Sequence, residues 1–134
     1  MTPTELIENF SYLTDWEDKY RYLIELGEQM EVLPESECID QYKVQGCQSQ
    51  VWIKGKENNG YYYFKANSDA IIVRGLEAVL LTFVNGKTAN EIHSLNLPET
   101  FKKLGLEENL SPTRRNGFAA MIERIHALIN LPNL

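Results

Sequence analysis

Gly46-Cys47-Gln48-Ser49 is the segment of this chain best suited to covalent chemistry. A thiolate is a strong nucleophile, and a cysteine that follows a glycine able to turn the backbone sharply projects its sulfur from a tight connection. The small polar side chains of Gln48 and Ser49 suit such a turn. The competing reading is plain: cysteine is among the most buried residue types, and a lone thiol often only fills a core. Residue physics leaves the two readings open.

The other residue types with chemical potential carry weaker arguments. Cys38 lies in the acidic run Glu35-Ser36-Glu37-Cys38, where neighbouring negative charge disfavours a thiolate, and it reads as incidental. His93 and His126 are far apart on expected helices, where imidazoles more often pack or face solvent than bind a metal. A cysteine hydrolase using Cys47 with His93 or His126 as base rests on residue inventory alone.

The elements that must position Cys47 are legible in the pattern. Thr2 with Glu5 and Thr14 with Glu17 are capping signals for two helices, Pro3 sits at a tolerated first position, and Gly27 marks the last turns of the second. Met30 to Tyr42 lacks periodicity and reads as an irregular crossing. Val51-Trp52-Ile53 and Tyr61 to Phe64 flank Lys56-Glu57-Asn58-Asn59-Gly60, a β-hairpin pattern. Tyr42 to Gln45 is a candidate third strand, which puts Cys47 on the turn between two strands. Ser68-Asp69 then reads as the cap of a helix through Ile72, Leu76, Val79 and Phe83, stopping near Gly86. Short helices are expected from Thr88 with Glu91 and from Leu97-Pro98, and a last one from Ser111-Pro112. Strands grouped between runs of helices predict an α+β fold, a small antiparallel sheet of about three strands flanked by helices.

Composition narrows the function. At 134 residues the chain is expected to be one domain, 1–134, and 43% hydrophobic residues supply a core. The net charge of −6 has the wrong sign for gripping phosphate backbones, so no nucleic acid is expected as partner. The charge is segregated: residues 1–40 hold 11 acidic and 2 basic side chains, residues 41–134 hold 8 and 11. Two solvated helix faces account for the acidic segment more readily than a docking surface does. Two cysteines cannot staple a small secreted fold, the first 15 residues show no targeting pattern, and the longest apolar stretch, Ala78 to Val84, is too short for a membrane span. A cytoplasmic protein without membrane attachment is the expectation.

Four segments in register carry a family resemblance. They are Val44-Gln45-Gly46-Cys47-Gln48-Ser49-Gln50-Val51-Trp52; Trp16 to Tyr20 with Leu23 to Gly27; Ser68-Asp69-Ala70 with Ile72 to Leu76; and Leu110 to Arg114 with Asn116-Gly117-Phe118. This chain resembles the SufE family of sulfur acceptors, and the match spans nearly its whole length. The resemblance implies a fold similar to SufE and IscU-type proteins and no cofactor bound by this chain. It implies that Cys47 receives a persulfide sulfur from a pyridoxal-phosphate-dependent cysteine desulfurase of SufS type, or of CsdA type for the CsdE relatives. It further implies stimulation of that enzyme and relay of the sulfur to a SufBCD-type iron–sulfur assembly scaffold.

Asp69 and Arg114 match recurring polar positions of the family near the cysteine loop. Arg114 would stabilise negative charge on sulfur, and Asp69 would latch the loop; alternatively each only serves the first turn of its helix. The different class of function to weigh is an iron–sulfur or metal-binding scaffold of IscU type. Cys38 and Cys47 lack the close spacing and the ligand count such a site ordinarily uses.

Overall fold

A computed structural model describes residues 1–132 and 134 of the chain. The chain opens with two helices, each packed on the later helix Ile71–Val84. Helix α1, Pro3–Ser11, starts as its sequence demands, with the Thr2 hydroxyl accepting from the Glu5 N–H at 3.1 Å and Pro3 in the first turn. Helix α2, Trp16–Gln29, begins one residue later than the Thr14 signal implies. Asp15, not Thr14, caps it, accepting from the Asp18 N–H at 2.9 Å, and a carboxylate at that place also complements the helix dipole.

The irregular crossing contains two 3₁₀ turns, Glu35–Glu37 and Asp40–Tyr42, and it is tied to the sheet by the Leu33 N–H donating to the Ala66 carbonyl at 2.9 Å. Strands β1, Val51–Asn58, and β2, Tyr61–Ser68, pair antiparallel in the expected hairpin. Asn59 and Gly60 have φ of 54° and 86°, the left-handed pair that a two-residue type I′ turn requires. The candidate strand at Tyr42 to Gln45 is reduced to one bridge, Lys43 to Trp52, because the chain turns away at Gly46 before a ladder can form. The third strand is instead β3, Lys87–Thr88, on the other side of β2, giving the order β1-β2-β3. Two polar residues are too short a stretch to show period-2 alternation, so no strand signal precedes them.

Helix α3, Ile71–Val84, is buried on most of its surface. It meets α2 backbone to backbone: a Cβ placed on Gly75 would lie 2.3 Å from the Leu23 carbonyl oxygen, and one on Gly27 2.8 Å from the Gly75 nitrogen. Gly27 lies in the last turn of α2, as expected, and there it also serves as a packing contact. Three further helices close the fold: α4, Ala89–His93, α5, Leu97–Lys103, and α6, Pro112–Ile129. The Thr88 and Glu91 side chains each cap the other's backbone N–H, and the Ser111 hydroxyl accepts from the Arg114 N–H at 3.2 Å. Val51 and Ile53 of β1, Phe64 and Ala66 of β2, the apolar residues of α3, and Met121 and Ile125 of α6 form one continuous core. Among the described residues the architecture is α+β, with a three-stranded antiparallel sheet and six helices.

Candidate functional site

The loop between the Lys43–Trp52 bridge and β1 places Cys47 against the first turns of α6. One end is held by the Val44 N–H donating to the Val51 carbonyl at 2.8 Å, and Gly46, with φ 87°, supplies the turn that sends the next side chain inward. The other end is held by Asp69, whose carboxylate accepts from the Gln50 N–H at 3.0 Å while its own N–H donates to the Gln50 carbonyl at 3.3 Å.

Cys47 is half-buried in a cavity of about 350 Å³ formed by Gln48 and Ser49 of its own loop, Val73 and Leu76 of α3, and Ser111, Arg114, Gly117 and Phe118 at the start of α6. Its thiol donates to the Gly117 carbonyl at 3.5 Å. Gly117 leaves the space beside the sulfur open: a Cβ there would lie 3.6 Å from Sγ, an ordinary contact. Burial pushes the Cys47 thiol above its ordinary value of 9.0, and the charge of Glu77 pushes it the same way. The resting sulfur is thus a protonated, partly sheltered thiol.

Of the three residues singled out in sequence, two share the cavity. Arg114 reaches its rim from the first turn of α6; it is exposed, and among the described residues its guanidinium has no ion pair. Asp69 lies outside. It caps no helix, since α3 starts at Ile71 behind Ala70 without a side-chain cap, and the Ser68 hydroxyl accepts from the Ala70 N–H instead. The cap expected of Asp69 is therefore absent, and the loop clasp takes its place because the Gln50 N–H has no partner within the strand pairing.

Cys38 sits away from this cavity, beside the Leu33 and Pro34 carbonyls and the Asn67 amide, and burial raises its thiol too. His93 and His126, remote in sequence, are neighbours in space: their rings stack with centroids 5.2 Å apart. Neither lines the Cys47 cavity, and His126 lies nine residues beyond Gly117, about 13 Å along α6. A Cys47–imidazole pair is out of reach. Among the described residues no three His, Cys, Asp or Glu side chains are placed to hold a metal ion. A wider groove, about 830 Å³, opens where the ends of α2 and α3 meet the sheet, but the described residues that line it include no cysteine or histidine. Two of its lysines are already engaged, Lys54 by Glu37 and Lys65 by Glu31. Size does not pick out the reactive place here; the thiol does.

Two residues at the site escaped the sequence reading. Gly117 was visible only as part of a motif, since nothing local says what its missing side chain makes room for. Glu77 is fully buried, and both its carboxyl oxygens lack a hydrogen-bond partner. A lone acid inside the nearly all-apolar run Ile71 to Val84 was the available signal.

Fold and site together define a small α+β protein that shelters one thiol at a loop clasped to the sheet. Comparison with known proteins gives that class its family. Residues 4–129 match the SufE model, described as an Fe-S metabolism associated domain. An uncharacterized SufE-like protein of Rhizobium etli is 46% identical over 125 residues, covering 90% of this chain and 84% of the relative. Another from Rhizobium meliloti is 44% identical over 125 residues, covering 90% and 89%. The solution structure of a hypothetical protein from Thermus thermophilus superposes with a TM-score of 0.76 over 96% of each chain at 22% identity, a likeness of fold. This chain belongs to the SufE family, and its role lies in sulfur transfer within iron–sulfur metabolism. No helix among the described residues is long and apolar enough to cross a membrane.

Proposed function

We propose that this protein is a sulfur acceptor that carries a persulfide on Cys47. The observation that carries the reading is the placement of one thiol in a cavity with an uncommitted guanidinium at its rim. The donor is a SufS-type or CsdA-type cysteine desulfurase bearing a persulfide. The Cys47 thiolate attacks the outer sulfur of that persulfide, the donor's S–S bond breaks, and the donor cysteine leaves as a thiolate while a new S–S bond forms on Cys47. The Cys47 proton goes to solvent, since among the described residues none lining the cavity is a carboxylate or an imidazole. Arg114 offsets the negative charge of the persulfide. The raised thiol and its bond to Gly117 hold the sulfur unreactive in the free protein, so activation belongs to docking, which breaks that bond. The sulfur then passes to an iron–sulfur assembly scaffold of SufBCD type.

Incubation with a SufS-type desulfurase and cysteine, followed by mass spectrometry without reductant, is expected to show one added sulfur atom on the Cys47 peptide. The adduct is expected to vanish in Cys47→Ser and to weaken in Arg114→Gln. A Cys47→Ser protein that still stimulates turnover fully, with no adduct on the parent chain, overturns the reading.

A further inference from the structure

Glu77 has no part in the transfer just described, and no carboxyl among the described residues is more confined. Its residue is wholly out of solvent, and neither oxygen finds a donor or acceptor. Val73, one helical turn before it, and Leu76, next to it, both line the Cys47 cavity, so Glu77 adjoins that wall of α3 without lining the cavity itself. The charged and titratable groups acting on it are few. Arg74 lies on its own helix, with Nε donating to the Ser68 carbonyl at 2.8 Å; Cys47 comes from the loop and Cys38 from the crossing segment. The neighbouring elements turn apolar or neutral groups inward: Leu23 and Gly27 of α2, Phe64, Ala66 and Ser68 of β2, Val51 and Ile53 of β1, and Met121 of α6.

A carboxylate without a partner in such surroundings is far costlier than a carboxylic acid. Burial pushes the Glu77 carboxyl from 4.5 up to about 9, Arg74 pulling part of it back, and burial together with the charge of Glu77 pushes the Cys47 thiol up as well. Coulomb coupling between them is reciprocal: whichever ionises first holds the other protonated.

We propose that Glu77 is a positioning residue for the Cys47 sulfur, a carboxyl kept neutral beside the cavity wall so that this region of the protein accepts a single negative charge, on sulfur or on carboxyl but not on both. The proposal rests on the persulfide-carrier reading for its purpose. An anionic sulfur on Cys47 is stored only while Glu77 keeps its proton, and alkaline conditions, which would otherwise expose a free nucleophile, ionise Glu77 and restrain the thiol.

The test is the pH profile of Cys47 alkylation by iodoacetamide, read on the Cys47 peptide by mass spectrometry. At neutral pH the parent and Glu77→Gln are expected to react at equal rates, because both acids are protonated; at about pH 9.5 the variant is expected to react about threefold faster, its thiol no longer facing a carboxylate. A Gln variant that is merely loosened would react faster by the same factor at every pH, and that result, or superimposable profiles, overturns the proposal. If Glu77→Gln does not fold, Glu77→Leu serves, and the parent profile itself decides: a single one-proton curve, instead of one stretched over more than about two pH units, also overturns it. Alkylation needs no sulfur donor. A coupled profile in a protein that never gains sulfur from a desulfurase would remove the carrier reading and leave the coupling standing.

Discussion

Asp69 and Gln50, 19 positions apart across the hairpin, hold each other twice, carboxylate to N–H at 3.0 Å and N–H to carbonyl at 3.3 Å. The clasp ties the exit of the cysteine loop to the entry of α3 from outside the cavity. Asp69→Ala is expected to cost about 1 kcal/mol in urea unfolding, the typical net worth of one intramolecular hydrogen bond, the gain from charge being offset by exposure to solvent. The Gln50 amide should exchange its hydrogen faster, and Cys47 should alkylate several-fold faster at mildly alkaline pH. Asp69→Asn, which keeps an acceptor, should lose less. Unchanged alkylation in Asp69→Ala would show that the loop is held by other contacts.

Gly117 separates stability from sulfur access. A Cβ there lies 3.6 Å from the Cys47 sulfur and 4.0 Å from its Cβ, ordinary contacts that need no rearrangement. Gly117→Ala is expected to stabilise the protein by about 0.5 to 1 kcal/mol through helix propensity, while slowing alkylation of Cys47. Gly117→Val places methyl groups where the outer sulfur of a persulfide would lie, and sulfur loading should be lost with the helical circular dichroism retained. Stability falling in Gly117→Ala would mean that the glycine is needed for some reason other than room at sulfur.

Glu77 gives the fold a pH dependence of defined sign. Its folded-state value of about 9 is raised above the ordinary 4.5, so the native protein holds a proton that the unfolded chain releases. The contribution to stability is complete below about 4.5 and is lost as pH climbs toward about 9. Glu77→Leu, close in volume and unable to ionise, is expected to gain on the parent as pH rises through that window, by at most about 1.4 kcal/mol per unit. Urea unfolding of both proteins at several values from mildly acidic to mildly alkaline pH measures it. A difference that does not vary with pH would mean the carboxyl is already solvated or paired in the native state.

What the sequence determined by itself is local. Thr2, Ser111 and the Thr88–Glu91 pair start their helices because each cap and the N–H it satisfies lie within three residues. Asn59-Gly60 makes the hairpin because both can take positive φ, and Gly46-Cys47-Gln48-Ser49 stood out because a turn and a thiol coincide. The departures are also instructive. Asp15 took the cap from its neighbour Thr14, and the third strand formed at Lys87–Thr88 rather than at Tyr42 to Gln45, where the turn at Gly46 stopped the pairing after one bridge.

Tertiary structure alone decided which of these residues act on one another. Arg114 stands 67 positions from Cys47 yet shares its cavity, Asp69 spends its carboxylate on a loop rather than on its own helix, and His93 reaches His126 only because α4 lies on α6. Glu77 interrupts an apolar run in the sequence, but only packing removes its carboxyl from water and from any hydrogen-bond partner. Caps and turns are settled by atoms a few bonds apart along the chain. Burial and the electrostatics that follow from it depend on surfaces that meet only when the whole core closes, and so they cannot be read from neighbours in sequence.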